Sequence, residues 1–351
     1  MEQKGTRNAT IDLMRIIACF MVIVNHTTTA VYQNVDISAD WFLSVGYLYL
    51  SKAAVPIFLM ITGYIMLGKC GSYGKAIWRF VRICLIVVIF SLPFYVENYA
   101  GGSLLNMNPV SYLLEIWKNP ITMAYWYLYL YAGIMLMLPF LQRFAGALTK
   151  KDYHAFFIIC LAISSVWPIL VHHKPLLEYS ACVELPLFNA ALCTLMLGAY
   201  MKRWGQECRV PNFVCIIVFL LSCAFSVVMT YLEYVKSGGQ DYLFYDEINY
   251  LPIMVQSVCL FLLLNRITVA DKRKKLIIAM GKCTFGIYLL SDWLIGKFYG
   301  VFTALCDKGM PAMPAVVIWE IIVFTLGLLI VGAFLYAKSL VMNLFRKKSV
   351  D

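Results

Sequence analysis

Long uninterrupted apolar runs dominate this sequence and restrict what it can fold into. Ten such runs occur along the chain, each near the roughly 20 residues that an α-helix needs to cross a bilayer. Composition agrees, because 62% of the 351 residues are hydrophobic and only 14% are charged, whereas a soluble domain is about a quarter charged. Soluble helices also keep a polar face, which most of these runs lack. The sequence therefore predicts an all-α, polytopic transmembrane helical bundle.

The predicted spans follow directly from the positions of the apolar runs. Their even number returns the chain to the side on which it started, and residues 1–351 are expected to form a single membrane domain. A short polar leader, Met1–Thr10, precedes the first run, which is predicted to be a span and not a signal peptide. The ten spans are 11–32, 45–68, 78–97, 121–141, 153–171, 185–203, 211–235, 250–266, 277–299 and 313–338.

The distribution of charge predicts the orientation. The net charge is +10, but the basic residues gather in alternate gaps between apolar runs, which indicates cytoplasmic loops and not a nucleic-acid site. Both termini are therefore expected in the cytoplasm of a multi-pass plasma-membrane protein. Six lysines fall on the other side: Lys52, Lys118, Lys174, Lys236, Lys297 and Lys308. Acidic residues assigned to that external side are Asp36, Asp40, Glu97, Glu115, Glu178, Glu184, Asp241, Asp246 and Glu247.

Cysteine usage points away from a metal centre or a disulfide framework. Most of the twelve cysteines stand singly inside apolar runs, without C-x-x-C or paired Cys/His spacing. They are interpreted as small buried apolar residues, and no metal is expected.

The first span carries polar residues that a bilayer interior accepts only with a partner, a water-filled cavity or a function. Arg15 and His26 are eleven residues apart, so they share one helix face about 16 Å apart along the axis. Two ordinary interpretations stay open. Asp12 and Arg15 can form a local ion pair at i, i+3, and His26 can be a hydrogen-bonded core residue beside Asn25.

Two further arginines lie near the start of span three. Arg79 and Arg82 are three residues apart at its cytoplasmic end and suit a phosphorylated cofactor, because a guanidinium binds phosphate in a bidentate fork and keeps its charge. The alternative is that both only mark the cytoplasmic side. Glu320 lies within span ten, where it can pair with an arginine such as Arg15 or Arg82. Its other predicted role is to orient His26.

Aromatic and helix-loosening residues mark two other spans. Trp126 and Tyr127 begin span four at the external interface, where an aromatic belt is the alternative to a substrate-binding role. Pro56 and Gly63 loosen span two. Either they leave backbone groups to line a cavity, or they mark a simple kink with close packing.

In this order and topology, the segments resemble the acyltransferase 3 family of integral membrane acyltransferases, and in particular its surface-polysaccharide O-acetyltransferase-like branch. The resemblance covers nearly the whole chain. It is carried by Arg15 to His26 as R-x10-H, Arg79 to Arg82 as R-x-x-R, V-P-I-F-L-M-I-T-G-Y from Val55, W-Y-L from Trp126 and T-F-G-I-Y-L-L from Thr284.

The resemblance implies transfer of an acyl group, usually acetyl, from cytosolic acetyl-CoA to a sugar hydroxyl at or beyond the outer face of a bacterial membrane. A neutral imidazole, with a reference pKa of about 6.5, can take the hydroxyl proton during attack on the thioester. The predicted site comprises catalytic His26 and Glu320, donor-binding Arg15, Arg79 and Arg82, and substrate-binding Trp126, Tyr127 and Tyr288.

The chain departs from the family pattern in two places. Many relatives place a histidine after G-I-Y-L, where this chain has Ser291 and Asp292, the latter four residues from Tyr288 on one helix face. In addition, no appended extracytoplasmic domain is expected in the sequence up to Asp351. The acceptor is therefore expected to come to the membrane as a surface polysaccharide, peptidoglycan or lipid-linked sugar.

Two other functions compete with the acyltransferase. One is a transporter or permeation protein for a small polar solute such as serine, which inverted repeats or two matched broken helices would favour; neither is visible. The other is a non-catalytic scaffold, against which the presence of Arg15 and His26 in register argues.

Overall fold

In the computed structural model, the described residues are 7–101, 108–173, 189–239 and 250–348. They are helical, with no strand in those ranges. Five of the residues assigned to the external acidic side, together with one of its lysines, lie outside them: Lys174, Glu178, Glu184, Asp241, Asp246 and Glu247.

Fourteen α-helices make up the described part of the chain. A π-helical turn, Ala162–Val166, joins α8 to α9, and a 3-10 turn, Met123–Tyr125, leads into α7. The α-helices are α1 Ala9–Thr27, α2 Thr29–Tyr32, α3 Ala39–Ser51, α4 Ala54–Met66, α5 Tyr73–Ala100, α6 Pro109–Lys118, α7 Trp126–Ala147, α8 Lys150–Leu161, α9 Trp167–His173, α10 Ala190–Trp204, α11 Asn212–Lys236, α12 Leu251–Asn265, α13 Asp271–Asp307 and α14 Ala312–Lys348.

The all-α polytopic bundle predicted from the sequence is confirmed. Eight described helical segments are long and apolar enough to cross a membrane, and each corresponds to one of the ten predicted spans. The other two predicted spans, 185–203 and 250–266, correspond to α10 and α12, which have 15 residues each. Both of these shorter helices begin next to chain that the structure does not describe.

Polar contacts lie at both ends of the bundle. At one end the Thr10 hydroxyl donates to the backbone oxygen of Ile267 at 3.0 Å, and Lys150 pairs with Glu207 at 2.5 Å. These residues belong to segments predicted to be cytoplasmic, and this end is called the cytoplasmic end below. At the opposite end, Lys297 pairs with Glu97 across α13 and α5 at 2.8 Å.

Helix α1 is the centre of the bundle, because it packs against α3, α4, α12, α13 and α14. Its contact with α13 is parallel and is fixed at two heights. The space that a Cβ on Gly281 would need is taken by the side chain of Asp12, 2.5 Å away. Further along, the Cys19 thiol donates to the backbone oxygen of Thr284 at 3.4 Å. The predicted site residues Arg15 and His26 on α1 and Tyr288 on α13 are therefore positioned by one pair of helices.

Span two is broken near its middle. Helix α3 ends at Ser51 and α4 begins at Ala54, and Pro56 follows in the first turn of α4. Proline has no backbone N–H and restricts the residue before it, so it disfavours one continuous helix here. Lys52 lies in this break, inside the candidate span Ala39–Met66. The predicted span two, 45–68, also contains this position, and the observed span begins six residues earlier than predicted.

Two glycines allow α4 and α10 to touch through their backbones. A Cβ at Gly63 would lie 1.8 Å from the carbonyl oxygen of Leu195, and a Cβ at Gly198 would lie 2.0 Å from that of Met60. Small residues let membrane helices approach closely and gain dispersion energy where no hydrophobic force drives association. Of the two interpretations of Gly63, close packing is confirmed.

We expect Gly198→Ala to lower the free energy of unfolding by about 1–3 kcal/mol, the usual cost of overpacking, because the new methyl group would overlap the backbone of α4. Gly133→Ala in α7 is the matched control, since nothing lies within 4 Å of its Cβ position. Thermal unfolding in detergent, followed by loss of the monodisperse chromatographic peak, measures both variants. Equal stability of the two variants would contradict the close approach.

Candidate active site

A cavity of about 580 Å³ opens between α1, α4, α7, α13 and α14. This volume is within the range of about 300–1,000 Å³ that small-molecule sites occupy. The cavity brings together Arg15, Tyr127 and Tyr288, three residues that the sequence predicted for the site. The other lining residues are Arg7, Phe58, Ile61, Thr62, Tyr131, Gly281, Lys282, Thr284, Phe285 and Leu335.

The cavity is positively charged at the cytoplasmic end. Arg7 and Arg15 both bind the carboxylate of Asp12, which has no exposed surface. Arg7 binds it in a two-point fork, Nε to Oδ2 at 2.5 Å and Nη2 to Oδ1 at 2.7 Å, and Arg15 Nη1 donates to Oδ1 at 3.0 Å. The local Asp12–Arg15 pair is thus confirmed, and the same carboxylate holds both guanidinium groups beside the cavity.

Sequence reasoning missed two of the three cations that line this cavity. Arg7 belongs to the polar leader, which was interpreted only as a cytoplasmic segment. Lys282 lies near the start of predicted span nine, 277–299, and its charge was not assigned a role. Both side chains line the cavity with Arg15. Because only one of the three charges is offset by Asp12, the local net charge is about two positive units.

Tyrosines and a phenylalanine form the wall of the cavity. The rings of Tyr127 and Tyr131 are stacked with centroids 5.8 Å apart, and Tyr127 makes an edge-to-face contact with Tyr288 at 5.9 Å. Phe58 packs on Tyr127 from α4 at 6.2 Å. Tyr127 thus lines the cavity, which an aromatic belt at the membrane interface does not explain. Trp126, by contrast, is 40% exposed and is not among the described lining residues.

The arginine pair of span three separates in the structure. Arg79 is half-buried and interacts electrostatically with the hydroxyl of Tyr131, as Arg15 does. Arg82 is exposed and is not among the described lining residues. Of the two, only Arg79 is therefore close enough to interact with a cavity-lining residue, although they are a single helical turn apart.

His26 lies near the far end of α1, beyond the described lining of the cavity. It is half-buried and interacts electrostatically with Asp292 of α13 and with Lys52 of the helix break. Asp292 also interacts with Tyr288, which lines the cavity four residues earlier on α13. Asp292 thus lies near both His26 and the cavity-lining Tyr288. Sequence reasoning placed Asp292 on the face of Tyr288 but did not predict its proximity to His26.

Glu320 is fully buried between α14, α1 and α3. Its Oε1 accepts a hydrogen bond from the hydroxyl of Thr27 at 2.6 Å, and its Oε2 accepts one from the hydroxyl of Tyr47 at 2.7 Å. The structure therefore gives Glu320 two hydroxyl donors in place of the predicted arginine. Thr27 directly follows His26 in the chain, so Glu320 is connected to the backbone next to His26. A role for Glu320 in positioning His26 stays a prediction.

The fold and this site describe a multi-pass membrane protein with a cation-lined cavity that reaches inward from the cytoplasmic end. The model of the acyltransferase 3 family, described as an acyltransferase domain, matches residues 8–337. The chain belongs to this family and is a membrane acyltransferase. Comparison with curated proteins and with solved structures gives no match. No comparison supports the transporter alternative.

We expect Asp12→Asn to lower the free energy of unfolding by about 1–3 kcal/mol, because an amide cannot replace a buried carboxylate that accepts from two guanidinium groups. Asp271→Asn is the matched control. Asp271 also pairs with a cation at i, i+3, at 2.7 Å, but its side chain is 93% exposed, so its loss should cost less than about 1 kcal/mol. Thermal unfolding in the same detergent compares them, and an unchanged Asp12→Asn variant would contradict the buried network.

Proposed function

We propose that the protein transfers an acetyl group from cytosolic acetyl-CoA to a hydroxyl of a cell-envelope carbohydrate at the bacterial plasma membrane. The observation that carries this proposal is the cavity, which has three cations at its cytoplasmic end and Tyr288 in its wall, on the side of Asp292 and His26. The acceptor is a surface polysaccharide, peptidoglycan or a lipid-linked sugar. The acyltransferase 3 family match supports the reaction class.

The charged end of the cavity suits the phosphates of CoA. Guanidinium groups form short, charge-assisted hydrogen bonds with phosphate oxygens. Among the described residues, Arg15 donates one hydrogen bond, to Asp12, so its other N–H groups are available to a ligand. Arg7 and Lys282 add charge at the same end. In this arrangement the phosphates stay at the cytoplasmic end and the pantetheine arm extends along the tyrosine wall.

The acetyl group would then reach His26 from the cytoplasmic side. The neutral imidazole takes the proton of the acceptor hydroxyl as its oxygen attacks the thioester carbon. Asp292 lies close enough to favour the imidazolium that forms, and Glu320 holds the adjacent Thr27 through its hydroxyl. Two chemical routes fit these residues: direct attack by the sugar hydroxyl, or a transient acyl-imidazole on His26.

We expect His26→Ala to lower the turnover number about 10²–10⁴-fold, the usual contribution of a general base, while acetyl-CoA still binds. Transfer of radiolabelled acetyl groups from acetyl-CoA to envelope carbohydrate, in vesicles with matched amounts of inserted protein, measures the loss. His154→Ala is the control, because His154 lies near the cytoplasmic end of α8 and its ring contacts Tyr200. Near-normal transfer by the His26→Ala variant would refute the proposed base.

We expect Arg79→Ala to weaken acetyl-CoA binding roughly tenfold or more, as loss of a charged hydrogen bond does. Arg82→Ala should weaken it less than about fivefold, because Arg82 is exposed and a surface charge contributes little. Calorimetry on purified protein in nanodiscs measures both affinities, and each variant serves as a control for the other. Absence of saturable binding by the wild type at millimolar acetyl-CoA would refute the donor assignment.

A further inference from the structure

Three aromatic rings close the inner end of the cavity. On α4, α7 and α13, the described lining residue farthest from the cytoplasmic end is Phe58, Tyr127 and Tyr288, respectively. Tyr127 contacts both of the others, with its ring centroid 6.2 Å from that of Phe58 and 5.9 Å from that of Tyr288. These three rings lie opposite the cations and are called the aromatic floor below.

The aromatic floor is backed by packed side chains. Val22 of α1 and Ala54 of α4 are buried in the same apolar cluster as the three rings. Neither is among the described residues that line the cavity. Protein interiors contain few voids larger than a water molecule, so a ligand that reaches the floor from the cytoplasmic end has little room to extend past it.

Hydrogen bonds hold the part of the floor where α7 meets α13. The hydroxyl of Tyr288 donates to the backbone oxygen of Ala124, and the hydroxyl of Tyr125 donates to that of Leu289 at 2.8 Å. Phe58 has no polar side-chain atom, so its ring is held by packing. It can therefore be shortened without leaving a buried polar group unpaired, which would itself be costly.

The floor lies between the cations and His26. Along α1, Arg15 lines the cavity, Val22 packs behind the floor, and His26 follows four residues later. Residues four apart share one helix face, about one turn of 5.4 Å from each other. An acyl group held against the floor would therefore lie within about one helical turn of the height of His26.

We propose that the aromatic floor, and Phe58 in particular, determines which acyl group is transferred, because it leaves room for an acetyl group but not for a longer chain. This inference rests on the proposed function, since it assumes that acyl-CoA is bound with its phosphates at the cations and its acyl group at the floor. One methylene in an apolar pocket changes discrimination about 10–200-fold. Adding methylenes against packed protein is unfavourable, because the neighbouring side chains must leave their preferred rotamers.

The test compares acetyl-CoA with butanoyl-CoA, which is two methylenes longer, in the wild type and in Phe58→Ala. Transfer of the radiolabelled acyl group to envelope carbohydrate in vesicles gives kcat/KM for each donor. We expect the wild type to favour acetyl-CoA by about tenfold or more. Phe58→Ala opens space beside Tyr127 and should lower that ratio about tenfold or more, through faster butanoyl transfer. Phe58→Leu removes less of the side chain and should give an intermediate ratio, which keeps the test valid if the alanine variant does not fold.

Phe20→Ala is the matched control for loss of an aromatic ring. Phe20 is also half-buried, and it packs edge-to-face on Phe324 at 5.7 Å. It is not among the described residues that line the cavity. The ratio of kcat/KM for the two donors should therefore keep its wild-type value in this variant.

The outcomes separate this inference from the proposed function. If the wild type transfers butanoyl as well as acetyl, or if both Phe58 variants keep the wild-type ratio, the floor does not select the acyl group and the proposed function stands. An equal fall of the ratio in Phe20→Ala would show general loosening of the bundle and would also overturn the inference. If the wild type transfers neither acyl group, the proposed function fails, and the inference fails with it.

Discussion

The parallel contact between α1 and α13 determines the rest of the structure. Near the cytoplasmic end it depends on Gly281, which leaves room for the side chain of Asp12, and Asp12 in turn holds the guanidinium groups of Arg7 and Arg15. Both helices run in the same direction, so each height on α1 faces a matching height on α13. The cations near one end and His26 near the other are therefore positioned by one rigid pair of helices.

Much of this architecture could be predicted from local sequence patterns. A bilayer-length apolar run, or a cation and an imidazole eleven residues apart, is visible in one stretch of chain, because helix geometry converts spacing into position. The predicted spans, the common face of Arg15 and His26 and the i, i+3 pair of Asp12 all follow from this. Tyr127 and Tyr288 were also assigned to the site, although only the structure shows that their rings touch.

What the sequence could not supply depends on contacts between distant segments. Arg7 and Lys282 are far apart in the chain and line one cavity only because α1 and α13 pack together. Arg79 and Arg82 were treated as a pair, yet the rotation of α5 directs one inward and leaves the other exposed. A carboxylate such as Glu320 inside a span needs a partner, and the sequence contains several candidates. In the structure it accepts hydrogen bonds from the hydroxyls of Thr27 and Tyr47.

The predicted site has two parts at different heights along α1. The cytoplasmic cavity carries positive charge and an aromatic wall, whereas the region around His26 combines an imidazole with Asp292 and Lys52. Under the proposed function, the donor and the acceptor approach from opposite sides of the membrane and meet at the imidazole. On α4, the cavity-lining Thr62 directly precedes Gly63, where the backbones of α4 and α10 touch.

Under the proposed function, the distance between Arg15 and His26, about 16 Å along the axis of α1, sets the length that an acyl donor must have. A donor anchored by its phosphates at the cytoplasmic end can deliver its acyl group to the imidazole only through a long, narrow arm. Acetyl-CoA has such an arm in its pantetheine group. A compact donor such as acetyl phosphate would bind the same cations with its acetyl group far short of the base. Donor choice would then be a matter of length as much as of charge.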